Sequence, residues 1–366
     1  MSDWRDYKSL SIDGDTKNLH GWRAYAQEQL QEGYGIAAIE DILEFVVEWS
    51  NRKEWVEART SGSTGRPKKI KIQKEHIVAS ALRTLGFLDL KPGNSALLCM
   101  PNRFIGGKMM IARSIIGELD LHIAESAATP EIPEGKTIDF AAVVPYQMRN
   151  ILADETATEQ WKGVRKIIIG GGQVDPALDE ELKKWPNDIY ESFGMTETIS
   201  HVALRKITGA SEREPFRLLD GIEVTQDDRG CMMLHSELLP ENPLITNDIV
   251  EMVGEDAFHW MGRADNMINS GGVKIIPEVI EKLAKPLMHT KFFFAGLPDE
   301  KLGEKVALIL ESEPMSPEDQ KELLRDLSQE LHKYELPKEI HFVGAFEETD
   351  NGKVNRKKTL KLLNAN

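Results

Sequence analysis

Residues Thr60, Ser61, Gly62, Ser63, Thr64, Gly65, Arg66, Pro67 and Lys68 crowd hydroxyls, two glycines and a basic end into nine positions. Where side-chain bulk is absent, backbone N–H groups approach an anion closely, and Ser and Thr hydroxyls add further donors. That chemistry suits the phosphates of a nucleotide. The run is not a Walker A motif, because Pro67 and Ile70 stand where the second glycine would have to be. A plain polar turn is the competing reading of Ser61 to Gly65. The continuation through Pro67-Lys68-Lys69 into the alternation of Ile70 and Ile72 makes it a loop that feeds a strand. Gly170-Gly171-Gly172 also follows a strand-like run, but Asp175 replaces the third glycine of a dinucleotide fingerprint.

Four further clusters could do chemistry. In Tyr190-Glu191-Ser192-Phe193-Gly194-Met195-Thr196-Glu197-Thr198, a hydroxyl and a carboxylate just beyond a glycine turn could serve a phosphate and a metal. An ordinary strand-to-helix turn with a threonine cap is the plainer account. In Thr246-Asn247-Asp248 one carboxylate could accept both hydroxyls of a ribose, or simply lie in a surface turn. Gly262-Arg263-Ala264-Asp265 leads to Ser270-Gly271-Gly272-Val273-Lys274. There Arg263 could meet ribose or phosphate, and the glycines allow close approach or form a linker. Asn351-Gly352 is a tight-turn signal that would present Lys353, although an exposed lysine is usually only a solvated charge.

The elements that must position these residues follow from length and pattern. At 366 residues, 41% hydrophobic, the chain has room for two domains with substantial cores. No apolar run approaches the ~20 residues of a membrane span, and the start of the chain lacks an apolar signal stretch, so a soluble cytoplasmic protein is expected. A net charge of −15 argues against broad attraction to nucleic acid or anionic membranes, while leaving room for a local basic pocket. Cys99 and Cys231 lie far apart in apolar surroundings and read as buried free thiols. The first sixty residues read as helical and polar, anchored by Trp4, Trp22, Trp49 and Trp55. From about 94 to 200, short apolar runs (95–100, 139–144, 166–169) alternate with helical stretches (107–117, 175–184), which predicts a parallel sheet flanked by helices. Between 214 and 261 short strands and turn residues predict a small antiparallel β subdomain. Beyond it the pattern is α+β, with Leu323, Leu324, Leu327 and Leu331 marking the core face of a helix over 316–334.

Taken in order, the blocks resemble the adenylate-forming superfamily of acyl-CoA synthetases, luciferases and peptide-synthetase adenylation domains. Thr60 to Lys68 is similar to its phosphate loop. Phe193 to Glu197 resembles its aromatic-Gly-x-Thr-Glu block, with Phe193 where Tyr is usual. Thr246-Asn247-Asp248 is similar to its Thr-Gly-Asp, with Asn247 in place of Gly. Gly262 to Asp265 resembles its ribose-binding and hinge segment, and Asn351-Gly352-Lys353 its C-terminal catalytic lysine. The resemblance runs from about 60 to 356. Only 59 residues precede Thr60, so most of the family's N-terminal subdomain is expected to be missing. Within the superfamily the chain most resembles a shortened o-succinylbenzoate–CoA ligase of menaquinone biosynthesis, through its size, Met100 to Gly107, and Ser192 to His201 running into Ala203-Leu204-Arg205. Phe104 stands where relatives often carry His.

The resemblance implies a division into an adenylation core, 1–264, and a mobile C-terminal domain, 265–366, turning on Asp265. It implies ATP, Mg²⁺ and coenzyme A as reactants and cofactor. A carboxylate would attack the α-phosphorus, releasing pyrophosphate, and a thiol would then take the acyl group. Lys353, Thr196 and Glu197 would be catalytic, with Glu197 on the metal. Ser61, Ser63, Thr64 and Lys68, with the rest of Thr60, Gly62 and Gly65, would hold the outer phosphates. Asp248 and Arg263 would hold the ribose, and Gly170, Gly171, Gly172, Phe193 and Gly194 would line the nucleotide. Gly271 and Gly272 would border the pantetheine path. Phe104, Gly107, Ser192 and His201 would face the acyl group, with Arg103, Lys108 and His201 as anchors for a second carboxylate. Other aryl- or acyl-CoA ligases, an enzyme loading a carrier-protein thiol, and a non-catalytic nucleotide-binding relative stay open.

Overall fold

A computed structural model describes residues 3–31, 37–59, 69–348 and 354–363. It forms two compact units, one built from residues up to 223 together with 235–244, the other from 224–234 and from 245 onward.

The first unit opens on a hairpin of β1 (Ser9–Ile12) and β2 (Asp15–Asn18), followed by α1 (Leu19–Gln31), α2 (Ala37–Ser50) and β3 (Trp55–Arg59). The helical expectation for this stretch is corrected at both ends. Asp13 and Gly14 carry the chain around at φ 52° and 86°, the two positive values a tight hairpin turn demands. Trp22 and Trp49 are buried anchors, and Trp4 and Trp55 are half-buried. β4 (Lys69–Gln73) pairs antiparallel with β3, setting Arg59 opposite Lys69. The nine-residue run between them, Thr60 to Lys68, lies outside the described residues.

Next come α3 (Lys74–Phe87), β5 (Ser95–Leu98), α4 (Ile105–Gly117), β6 (Asp120–Ile123), β7 (Phe140–Val143), α5 (Pro145–Ala153), α6 (Glu155–Trp161), β8 (Lys166–Ile169), α7 (Pro176–Leu182), β9 (Asp188–Gly194), β10 (His201–Lys206) and β11 (Phe216–Leu218). Strand order is β11-β10-β9-β8-β7-β5-β6-β1-β2. The strands from β9 to β1 in that order run parallel. β7 and β8 are buried at every position, as strands covered on both faces must be. Caps set the helix starts: Asp154 and Asp175 accept the first free N–H groups of α6 and α7, and Pro176 occupies the first turn of α7.

The second unit holds β12 (Glu223–Gln226), β13 (Cys231–His235), β14 (Leu244–Val253) and β15 (Ala257–Arg263) in that order, then β16 (Ile268–Ser270), β17 (Val273–Ile275), α8 (Pro277–Ala284), β18 (Phe292–Asp299), β19 (Gly303–Glu311), α9 (Pro317–Glu330), β20 (Glu339–Val343) and α10 (Arg356–Leu363). β17-β16-β19-β18 form a sheet with β20 parallel to β19. Leu327 and Leu331 are buried in its core, Leu323 packs against it and Leu324 is half-buried. The parallel sheet, the antiparallel strands and the α+β C-terminal part match the class read from the sequence.

Both cysteines are free and buried. Cys99 Sγ donates to the Ala142 carbonyl at 3.4 Å, and burial pushes its thiol up to about 12; burial also raises Cys231. Among the described residues no helix is long and apolar enough to cross a membrane.

Candidate functional site

In the first unit the chemistry gathers where β8 and β9 end. Gly170 follows β8 directly. A Cβ built on it would lie 2.5 Å from Ser192 Oγ, which donates to the Ile169 carbonyl at 3.3 Å. Gly171 takes φ 76°. The strand carrying Tyr190 to Gly194 turns at Met195–Ser200 into antiparallel β10, so the expected strand-to-helix turn is a strand-to-strand turn. Thr198 holds this turn: its Oγ1 accepts from Met195 N–H at 2.9 Å and lies 2.6 Å from the Ser200 carbonyl. Ile199 is fully buried at φ 69°, a strained conformation for a β-branched residue that its packing sustains. Glu197 is exposed and Thr196 half-buried. Among the described residues no three His, Cys, Asp or Glu side chains gather as a metal site. A lone carboxylate is still enough for Mg²⁺, which is held by one or two carboxylates plus phosphates and keeps its waters.

The glycines here differ in what would obstruct a side chain. Gly170→Ala meets only a hydroxyl, so it should cost about 1–3 kcal/mol, and Ser192→Ala in the same chain should recover most of that. At Gly194 the obstacles are the Ser200 carbonyl and the His201 Cα at 2.5 Å, which no trimmed side chain relieves. Chemical denaturation of the single and double variants checks the contrast; additive losses for Gly170 and Ser192 would refute it.

Phe104 caps α4 half-buried beneath the Arg103 guanidinium, 5.0 Å from its ring. Gly107 is buried, and its Cβ would meet the Pro101 carbonyl at 2.5 Å. Lys108 is also buried, but its ammonium pairs with Glu48 at 2.8 Å, so its charge is already answered; Arg103 is exposed. His201 sits in different company. Thr84 donates to the Ser80 carbonyl at 3.1 Å, so its single proton is used and it accepts from His201 Nε2–H at 2.9 Å. His201 Nδ1 then faces Ser200 Oγ at 3.4 Å, which accepts from Arg113 Nη2 at 2.9 Å. Burial, with the charges of Arg113 and Arg83, holds His201 well below its ordinary range.

Arg83 and Arg113 are what sequence reasoning missed. They are 7% and 3% exposed, and neither has an acid partner among the described residues. All three guanidinium nitrogens of Arg83, and Nε of Arg113, lack a hydrogen-bond acceptor there. Burial pulls the two down to about 10 and about 9, so both remain cationic at neutral pH. Two buried cations without counter-charge cost several kcal/mol, and Arg83 and Arg113 both lie close enough to His201 for their charges to act on it.

His201 couples the stability of the fold to pH. Its folded-state value lies below the unfolded one, so the unfolded chain binds the extra proton below about pH 6.5. Stability from this group is therefore complete above about pH 6.5 and is lost as pH falls, approaching about 1.4 kcal/mol per pH unit. Denaturant midpoints between pH 5 and 7.5 should fall more steeply for the wild type than for His201→Gln; equal slopes would refute it.

In the second unit, Asp248 on β14 lies directly opposite Arg263 on β15. Trp260 Nε1–H donates to Asp248 Oδ1 at 2.9 Å, and Arg263 stands 3.5 Å from Oδ2. Burial raises the Asp248 carboxyl, against the pull of Trp260 and Arg263. Arg263 also reaches the exposed Asp265 at 2.8 Å, so the expected ribose acid and hinge acid share one guanidinium. Arg229 bonds Asn247 Oδ1 at 3.0 Å and the Thr246 carbonyl at 3.2 Å, steadying the residue that departs from the family pattern. Gly271 and Gly272 turn from β16 to β17 at φ 60° and 85°, both exposed. Lys353 lies outside the described residues.

The AMP-binding enzyme model matches residues 59–224. A 2-succinylbenzoate–CoA ligase of Listeria monocytogenes serotype 4b (strain F2365) is 30% identical over 323 residues, spanning 82% of this chain and 68% of the relative. A Dyadobacter fermentans acyl-CoA synthetase (AMP-forming)/AMP-acid ligase II-like protein is 34% identical, with 90% of this chain and 95% of that one covered at TM-score 0.61. An O-succinylbenzoate coenzyme A synthetase from Bacillus subtilis, determined with ATP and magnesium ion, shares the fold at TM-score 0.67 and 18% identity, over 83% and 69% of the two chains. The chain belongs to the AMP-binding enzyme family.

Proposed function

We propose that the protein is an AMP-forming acid–thiol ligase that converts o-succinylbenzoate to its coenzyme A thioester, the step this acid undergoes in menaquinone biosynthesis. The observation that carries the choice of substrate is the buried group of Arg83, Arg113 and His201. A monocarboxylic acid loses its only charge on activation and has no use for two buried cations. A dicarboxylic acid keeps one carboxylate, and that anion would supply the missing counter-charge. The names of the similar ligases point to the same acid.

In this reading the substrate carboxylate attacks the α-phosphorus of ATP, giving acyl-AMP and pyrophosphate. Two anions must meet, so charge neutralisation and in-line positioning are the catalytic tasks. Lys353 would bridge carboxylate and α-phosphate, while Ser61, Ser63, Thr64 and Lys68 would hold the phosphates that leave. Glu197, assisted by Thr196, would hold Mg²⁺, which when bound offsets triphosphate charge. Asp248 and Arg263 would hold the ribose, and the open backbone of Gly170 to Gly172 would border the adenine and acyl groups. The thiol then attacks the acyl carbon and AMP departs, so no protein nucleophile is required. Turning of residues 265–366 about Asp265 would remove Lys353 and bring Gly271 and Gly272 to the thiol's path. ATP and coenzyme A make the cytoplasm the compartment this reading requires.

ATP–pyrophosphate exchange with o-succinylbenzoate, benzoate and a medium-chain fatty acid tests it. Exchange should be strongest with o-succinylbenzoate; equal or better exchange with either monocarboxylate would overturn the substrate assignment.

A further inference from the structure

Two neighbouring residues of β9 grip the glycine run from opposite ends. Ser192 holds its start through the Ile169 carbonyl. Glu191, pointing to the other face and 2% exposed, holds its end: Oε1 accepts the Val174 N–H at 2.8 Å. Its second oxygen accepts from Arg205 Nε and Nη2 at 2.9 and 2.6 Å and from Arg213 Nη2 at 3.1 Å. Arg213 Nη2 also donates to the Val174 carbonyl at 3.3 Å, so side chains of one network hold both polar backbone atoms of Val174. Arg205 reaches on to Asp179 at 2.5 Å, on the helix that begins two residues after Val174. Two acids and two arginines thus meet within the core, and the segment from Gly170 to Val174 is tied to β9 at both ends.

Buried ion networks are poor devices for stability, since well-packed apolar residues often do as well or better. What this network fixes is a path of backbone. We propose that Glu191 is a positioning residue for adenylate formation: through Val174, with Arg205 and Arg213, it sets the course of Gly170–Gly172 and thereby the affinity for ATP. The inference rests on the ligase reading of those glycines.

The test uses Glu191→Gln, Arg213→Met and Arg213→Lys in the full chain. Glu191→Gln leaves an acceptor for Val174 but removes the charge that gathers the arginines. Arg213→Met removes the carbonyl contact at a less buried site and keeps Glu191 with Arg205, so it decides the matter should Glu191→Gln fail to fold. Both are expected to raise the KM for ATP about tenfold in pyrophosphate exchange, with kcat changed less than threefold, as lost ground-state binding requires. Arg213→Lys should recover most of the loss. Amide hydrogen exchange over residues 170–175 of the ligand-free protein should quicken about tenfold in the first two variants while other strands of the parallel sheet keep their protection. Unchanged exchange of that segment would overturn the inference. So would a loosened segment with unchanged KM. Absence of pyrophosphate exchange in the wild type with every acid would instead sink the ligase reading, while hydrogen exchange would still decide whether Glu191 clamps the loop.

Discussion

Lys353→Ala should lose adenylate formation by about 10²–10³-fold or more while keeping most of its thiolysis of supplied acyl-AMP. Attack of one anion on another leaves the new negative charge on the α-phosphate oxygens, and removal of a single preorganised donor at such a place costs on that order. The second half-reaction expels AMP and needs no cation from that lysine. Single-turnover measurements of pyrophosphate release and of thioester formation from acyl-AMP separate the steps. Equal losses in both, in a variant that still folds, would show that the lysine does not divide its work this way.

Arg113→Met is the second large effect. The KM for o-succinylbenzoate should rise by roughly 30-fold or more, the cost of about 2 kcal/mol or above for unpairing a buried charge. Any turnover of benzoate should scarcely change. The free protein should melt at the same temperature or higher, because a buried guanidinium without a counter-ion is replaced by an apolar chain of similar length. Arg83→Met should behave likewise. Weaker binding with undiminished stability is the signature of a site that awaits its ligand; a fall in melting temperature, or equal losses for the monocarboxylate, would make these arginines ordinary core residues.

The parallel sheet was legible because its strands are short apolar runs, such as Lys166–Ile169, set between helical stretches, and burial on both faces leaves that mark on composition. The hairpin Ser9–Asn18 was not, since its strands are largely polar and brief, and Asp13-Gly14 is its turn signal. The proposed site residues stand out in the sequence only as motifs in order, never as geometry. His201 is proposed from its position alone, and its partners Thr84 and Ser200 leave no mark in the sequence. Arg113 belongs to a helix buried from Gly107 through Ile116, and an arginine between Ala112 and Ser114 in such a run was the clue. Arg83 gave less away, because α3 presents Leu82 and Phe87 to solvent and an arginine there reads as surface. The network around Glu191 was beyond the sequence altogether. It joins residues 174, 179, 191, 205 and 213 through strand pairing and a loop that no local pattern specifies.

The two sequestered cysteines have a practical consequence for anyone following the reaction. With Cys99 pushed up to about 12 and Cys231 also raised, neither offers thiolate to a chromogenic disulfide reagent while the chain stays folded. Colour released during turnover therefore counts free coenzyme A alone, with no blank from the catalyst. The same silence makes the protein its own denaturation reporter: two equivalents of dye per chain should appear only as molecules open, at a rate set by unfolding when the reagent is in excess.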